Sequence, residues 1–280
     1  MQMIAEWVIR LGAFLGIFAI CAVVEWWRPK RTWRYARVRR WGINLGITLL
    51  NGLLARLTIG AVAVTAAIWA QQHQWGVLHQ LPVPEPLLWL IGLLLLDLAI
   101  WLQHLATHHI PLLWRLHRMH HTDLELDVTT GLRFHPIEIG LSLLYKALIV
   151  LLFGIDPWVV IAFEVILNAF AIFTHANIRL PSALDRRLRI LLVTPDMHRA
   201  HHSIHPDETN SNFGFFLSIW DKLFRTYTVQ PRDGHLQMTI GLKEFRDEAR
   251  LNFMDLIKIP LAPLSPLQPD ISDESEARDG

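Results

Sequence analysis

The sequence predicts an all-α fold, an integral membrane bundle of about five spans (four to six) with a helical cap on its cytoplasmic face that carries clustered histidines. Three observations predict it. The chain of 280 residues is 52% apolar with twelve tryptophans, and its apolar residues fall in runs long enough to cross a bilayer. Lys and Arg crowd one loop between such runs and are missing from the next. The pattern HxxHH occurs twice, at His117, His120, His121 and at His198, His201, His202.

Taken in order, residues 7–25 form the first spanning candidate, where Gly12 and Gly16 make a GxxxG helix-packing pattern. Glu6 stands where a secretory signal would be basic, and the apolar run ends in Trp26-Trp27-Arg28, so a cleavable signal is not expected. Residues 43–69 form a second candidate, long enough to tilt, with Arg56 inside it. Residues 86–107 form a third, opened by Pro84 and Pro86 and carrying Asp97. The runs 138–153 and 157–175 are shorter and are split by Gly154-Ile155-Asp156-Pro157, which predicts a helical hairpin. After His175 the chain turns polar. It reads as an interfacial amphipathic helix, then a second histidine-bearing helix capped by Thr194 or Asp196 with Pro195 in its first turn. The expected organisation is 1–85 for the first helices and basic loop, 86–228 for the catalytic domain, and 229–260 for a cytoplasmic extension. Residues 261–280 form a Pro-rich and acidic tail expected to be disordered.

Charge sets the orientation. Arg28, Lys30, Arg31, Arg34, Arg37, Arg39 and Arg40 lie in the loop after the first span, whereas Gln71–Glu85 holds no Lys or Arg. The positive-inside rule puts the first loop in the cytoplasm and the N-terminus outside. That topology, drawn without the histidines, lands residues 104–135, His175 and 198–202 at one membrane face. Trp26, Trp27, Trp33, Tyr35 and Trp41 flank the basic loop, a pattern that fits an anionic lipid surface and not nucleic acid. Short loops and the lack of retention signals point to a bacterial inner membrane.

The single cysteine, Cys21, excludes a disulfide framework, a Cys-ligated zinc site and an intrinsic iron–sulfur cluster. With fifteen histidines, chance places on the order of 0.04 HxxHH matches in the chain, so two point to chemistry. On a helix, positions i, i+3 and i+4 share a face, and His104 and His108 form a further i, i+4 pair. Neutral imidazole binds iron, zinc, copper and nickel. Eight imidazoles suffice for two metals at four nitrogens each, with positions left open. A closed structural zinc site needs only four ligands, which favours a redox pair, although spacing alone does not choose iron. GxSxG, HExxH, GxGxxG and P-loop patterns are absent. Two alternatives are a zinc-dependent membrane hydrolase, which needs a carboxylate base beside the metal, and a metal transporter or sensor, which needs ligands staged through the bilayer depth.

Several stretches together carry a family resemblance: HLATH (104–108), LWRLHRMHH (113–121), LDVTTGLRFHPIE (126–138), FTHAN (173–177), and TPDMHRAHHS followed by NSNFG and SIWDKLFRTY. Over roughly residues 90–228 the chain resembles the fatty acid hydroxylase/sterol desaturase superfamily, in its bacterial membrane branch. The resemblance implies a non-haem di-iron centre, O2 as co-substrate, and hydroxylation or desaturation of a lipid, sterol-like or other hydrophobic substrate. Its three boxes fall on His104, His108, His117, His120, His121, His198, His201 and His202, and His175 matches an additional family histidine. Arg225 departs from the family pattern by standing where glycine is common, and Leu105 by standing where arginine is common. The His-Pro at 135–136 lacks the glycines of a fused cytochrome b5 domain. The electrons are therefore expected from a separate donor, a ferredoxin or a cytochrome with its reductase.

Other residues are expected around this centre. Asp97, seven residues before His104, is placed to accept a hydrogen bond from a ligand imidazole. Arg133, His135, Asn168 and His205 are candidates for positions beside the ligands or facing substrate. Arg133 and Glu138 flank His135 and are placed to pair with each other or with a headgroup. Glu164 and Asn168, four apart, could line the site. Arg56 and Lys146 read as snorkelling cations. His109 points away from His108, and His73, His79 and His235 read as surface residues.

Overall fold

The computed structural model describes residues 2–58 and 61–263. Among these residues the chain is helical, with only isolated β-bridges such as Pro29 to Ile178. Five stretches are long and apolar enough to span a bilayer: Val8–Trp27, Arg37–Gln80, Glu85–His109, Pro136–Phe153 and Pro157–His175. Their outer faces carry exposed Leu11, Leu15, Val23, Leu49, Leu53, Leu90, Leu144 and Leu148. Aliphatic side chains left out of the core on so many helices suit a hydrocarbon surround, where only the backbone must be satisfied internally.

Helix α1 (Gln2–Trp27) lies along α7 (Pro157–His175). The GxxxG expectation fails here: a Cβ at Gly12 or Gly16 would meet nothing within 4 Å, so neither glycine marks a close helix approach. The second spanning candidate, 43–69, falls across two described helices. Helix α2 (Arg37–Thr58) ends, and α3 (Val62–Gln72) starts afresh and packs on α6 (Pro136–Phe153) and α7. Small residues Ala63, Ala66, Ala67 and Ala70 form its buried face, which lets α3 lie close in that groove.

Prolines punctuate the rest. Helix α4 (Glu85–His109) begins beside Pro84, and Pro111 forces Ile110 into an extended conformation (φ −96°, ψ 113°), which ends α4 and starts α5 (Pro111–His121) in a new direction. The hairpin forms as expected. Gly154 closes α6 at φ 69°, and the Asp156 side chain accepts from Trp158 N at 2.8 Å to cap α7. A Cβ on Gly154 would lie 2.3 Å from Trp75 O, so glycine is required there by contact as well as by φ. Helix α8 (Ser182–Leu188) exposes Leu184 and is followed by exposed Ile190 and Leu191. Helix α9 (Pro195–His201) is capped by Thr194, whose hydroxyl accepts from Met197 N at 3.3 Å. Asp196 instead pairs with Lys30 and Arg199.

Two polar clusters hold the structure together, one between α2 and the loop after α5 and one among the spans. In the first, Arg40 of α2 makes a bidentate pair with Asp123 (2.8 and 3.0 Å), donates to Glu125 O, and lies 2.9 Å from Asp127. Burial pushes the Asp123 carboxyl up, but Arg40 and Arg133 outweigh it and hold it well below the usual carboxylate range. Asn44, one turn on, donates to Thr129 Oγ1. In the second, within the bilayer region, Lys146 of α6 and Arg10 of α1 both pair with Glu164 of α7. Lys146 is therefore a buried structural cation and does not snorkel. The tail expectation holds no structural description beyond residue 263. Its first residues, however, are held: Arg115 and Arg118 of α5 donate to carbonyls of Ile259, Pro260, Ala262 and Pro263.

Arg225 adopts φ 61°, the left-handed region where a Cβ is strained. Arg225→Gly is expected to stabilise the protein by about 1 kcal/mol. A rise in melting temperature in detergent checks this; an unchanged or lower value counts against it.

Candidate metal centre

Four helices deliver histidines to one end of the bundle. His104 and His108 occupy the last turns of α4, and His117, His120 and His121 end α5. His175 is the last residue of α7, while His198 and His201 lie on α9 with His202 at its C-cap. The Pro111 break turns α5 back against α4, so the two α4 histidines face the α5 triplet. All nine are buried.

The nine rings sort into two adjoining groups. His104, His108, His117, His121 and His201 make one; His120, His175, His198 and His202 make the other. Within each group, one nitrogen per ring lies within 4.8 Å of the others. The groups share a wall: His121 stacks on His202 at 4.5 Å between ring centres, and His198 on His201 at 5.1 Å.

Hydrogen bonds on the far ring nitrogens orient several of these rings. Nδ1–H of His104 donates to Phe213 O (2.8 Å), that of His201 to Ser211 O (2.7 Å), and that of His175 to Ala171 O (2.6 Å). His117 Nδ1–H donates to the Glu138 carboxylate at 2.6 Å, and His108 Nδ1 lies 3.3 Å from Asn210 Oδ1. A carbonyl or carboxylate can only accept, so these bonds leave the Nε2 lone pair facing inward. His104 Nε2 and His117 Nε2 then face each other at 3.2 Å. His175 Nε2 faces Nε2 of His120, His198 and His202 at 3.0, 3.0 and 3.3 Å. Nε2 of His108, His121 and His201 is buried without a partner. Converging lone pairs repel one another, and buried orphan acceptors are costly. A cation in each group removes both penalties, so the donor set fits two metals.

Burial drives the imidazoles to their neutral form. Desolvation, then repulsion from neighbouring rings, pushes His120, His121, His198 and His202 well below the usual histidine range, and desolvation takes His201 down to about 3. Neutral imidazole is the metal-binding form.

The remaining sequence-selected residues serve other ends. Asp97 touches no imidazole. It accepts from Trp220 Nε1 (2.8 Å) and Leu217 N (3.3 Å), so the expectation of a bond to a ligand ring is corrected. Seven residues along a helix share a face, but the polypeptide 211–226 fills the space above that face. Arg133 does not pair with Glu138; it donates to Thr122 Oγ1 and Met119 O and lies near Asp123. His135 caps α6 through Nδ1, accepting from Ile137 N, and its Nε2 faces Ile257 O. His205 pairs with Asp233 at a half-exposed edge. Asn168 donates to Glu164 O and lines the cavity described next.

Three features escaped sequence reasoning. Glu138 orients His117. The segment Asn210–Phe213 supplies acceptors to three rings, held in place by Asp221, which accepts from Phe213 N, Gly214 N and Trp101 Nε1. Gly131 lets the cap loop touch α7: a Cβ there would lie 2.2 Å from Ala171 O and 3.1 Å from His175 Nδ1. Only the conspicuous NSNFG and HPIE stretches hinted at the first two.

A cavity of about 500 Å³ opens onto the five-histidine group at His104 and His117. It runs between α1, α2, α4, α6 and α7, walled by Phe14, Ile100, Leu132, Ile139, Leu143 and Leu167, with Thr48, Asn51, Gln103 and Ser142 as polar points.

A family model for fatty acid hydroxylases matches residues 89–226, a stretch that contains all nine histidines. Over those residues the chain is similar to the fatty acid hydroxylase family. It is an integral membrane protein. The chain is similar to the ornithine lipid hydroxylase OlsE of Rhizobium tropici, 28% identical over 78% of this chain and 67% of that protein. It is also similar to the alkylglycerol monooxygenase of Caenorhabditis elegans, 27% identical over 69% of this chain but only 38% of the worm protein. A third relative is cholesterol 25-hydroxylase of Rattus norvegicus, 27% identical over 52% of this chain and 49% of that protein. The chain thus spans well under two thirds of the alkylglycerol monooxygenase it matches. No solved structure matches it.

Proposed function

We propose that the chain is an O2-dependent membrane oxidoreductase that hydroxylates a C–H bond of a lipid, using two irons held by His104, His108, His117, His121 and His201 and by His120, His175, His198 and His202. The observation that carries this reading is the pairing of two adjoining all-histidine groups with a largely apolar cavity that reaches the five-membered one between spanning helices. Two such irons would supply O2 activation, with electrons from a separate ferredoxin or cytochrome system. The named activities of the relatives, all lipid or sterol oxidations, support the reaction class.

The chain's own residues have three tasks in this reading. Phe213 O, Ser211 O, Ala171 O and Glu138 hold the Nδ1 protons of their histidines, which keeps Nε2 free to bind metal. Leu132, Phe134 and Phe215 exclude water around the reacting end of the cavity. Ile100, Ile139, Leu143 and Leu167 guide an alkyl chain toward His104 and His117. The basic loop 28–40 and the unbasic loop 71–85 support an N-terminus outside and a centre at the cytoplasmic face of a bacterial inner membrane.

Neither alternative is favoured. Each four- or five-member ligand group consists of histidines alone, and the carboxylate beside them, Glu138, is engaged by His117 Nδ1–H and not held as a base facing a metal-bound water. Both groups sit at one end of the bundle, not staged through the bilayer as transport requires. The deciding experiment measures metal content and O2 uptake on purified protein, with lipid mass spectrometry for a sixteen-unit gain. Zinc occupancy without O2 uptake would refute the oxygenase reading.

Gly52 gives a test of the cavity. It lines the space, and a Cβ there would meet nothing within 4 Å. Gly52→Trp is expected to leave metal content unchanged and lower kcat/KM for a long-chain substrate by about tenfold or more, 1.4 kcal/mol at the transition state. An unaltered kcat/KM would mean that substrate takes another route.

A further inference from the structure

The two histidine groups are built differently, and the difference has chemical content. Five rings form one group and four the other. In the five-membered group, four rings have the second nitrogen engaged: His104 on Phe213 O, His108 on Asn210 Oδ1, His117 on Glu138 Oε1 and His201 on Ser211 O. One of those acceptors is a carboxylate. In the four-membered group only His175 is fixed this way, on Ala171 O. Nδ1 of His120, His198 and His202 is buried without a partner.

We infer that the two metal positions are unequal: the five-histidine position fills first and holds metal more tightly, with Glu138 as the positioning residue that strengthens it. This inference rests on the metal-centre reading above. An acceptor on the far nitrogen fixes the tautomer, locks the ring and raises its donor strength, and loss of such a partner costs roughly 10–100-fold in metal affinity. Glu138 is the strongest of these acceptors because it is anionic and buried at the foot of α6. Rings without an acceptor must give up rotational and tautomeric freedom when metal arrives. His104 and His117 also line the cavity, whereas none of the four-membered group is among its described lining residues. The tighter position is therefore the one that meets substrate, and the looser one lies behind it.

The test uses full-length, metal-free protein in detergent, titrated anaerobically with Co(II) and followed by its visible ligand-field bands, which weaken as coordination number rises. The expected course has two steps. The first equivalent binds at least about tenfold more tightly and gives weak bands; the second adds strong ones. In Glu138→Gln the first step weakens by roughly 10–100-fold and the second keeps its affinity. Asn210→Ala, which frees His108 and leaves Glu138 in place, is expected to weaken the first step too, so the test does not hang on one variant. Two equivalents bound in a single step, strong bands appearing first, or a Glu138→Gln effect on the second step would overturn the inference while leaving the metal centre standing. Failure to bind any Co(II) would overturn the metal centre itself and this inference with it.

Discussion

Replacing His175 by alanine is expected to cut bound metal from two ions per chain to one and to abolish lipid oxidation. His175 lies outside both HxxHH triplets, yet its Nε2 is the point on which His120, His198 and His202 converge, at 3.0 to 3.3 Å. The Nδ1–H bond to Ala171 O makes it the one ring of its group with a fixed tautomer. Removing it leaves three unfixed imidazoles, and affinity at that position should fall by on the order of 100-fold or more. The five-histidine group has its own ligands and should keep its metal. Elemental analysis of the purified variant, with lipid mass spectrometry of the cells that express it, checks both halves. His109→Ala is the control: that residue is exposed, its ring bonds to Leu105 O and meets Phe213 edge-on, and it belongs to neither histidine group, so neither metal nor product should change. Two metals and normal product in His175→Ala would remove the basis for the four-membered group.

The second large effect concerns the fold. Arg40→Met is expected to destabilise the protein by about 3–5 kcal/mol, the usual consequence of removing one partner of a buried ion pair. Asp123, Glu125 and Asp127 all approach Arg40, and the first and last of them are almost wholly buried. Arg133, 3.8 Å from Asp123, gives too little compensation. The cost falls on the loop that directly follows the α5 histidines, so metal content should fall with stability. Arg40→Met combined with Asp123→Asn should recover part of the loss, since a buried amide needs no counter-charge. Thermal unfolding in detergent measures all three proteins. A single variant that melts within about 2 °C of the parent would contradict the role given to this cluster.

Apolar run length, loop charge and histidine spacing were enough to read the helical bundle, the hairpin at Gly154–Pro157 and the gathering of His104, His108, His117, His120, His121, His198, His201 and His202 at one end, and the family resemblance added His175. These features follow from local rules: apolar run length, proline at helix starts, and the shared face of i, i+3 and i+4. What escaped was decided by partners distant in sequence. Asp97 looked like a ligand-orienting carboxylate because it shares a helical face with His104, but Trp220, over a hundred residues away, occupies its oxygen. Glu138 looked like a partner for Arg133, and it turns instead to His117. Lys146 looked like a cation reaching for the bilayer surface until Glu164 of the neighbouring helix came into view. The seating of the alanine face of α3 in the groove between α6 and α7 is a long-range contact that no local pattern encodes.

The position of α9 has a consequence for biosynthesis. His198, His201 and His202 emerge from the ribosome long after the helix bearing His104 has entered the bilayer, and both groups need at least one of them. A nascent polypeptide halted before residue 198 therefore lacks a finished binding place for either ion. On the proposed metal-centre reading, loading therefore waits until residue 202 has been made, so metal supply acts after the spanning helices and not on their insertion.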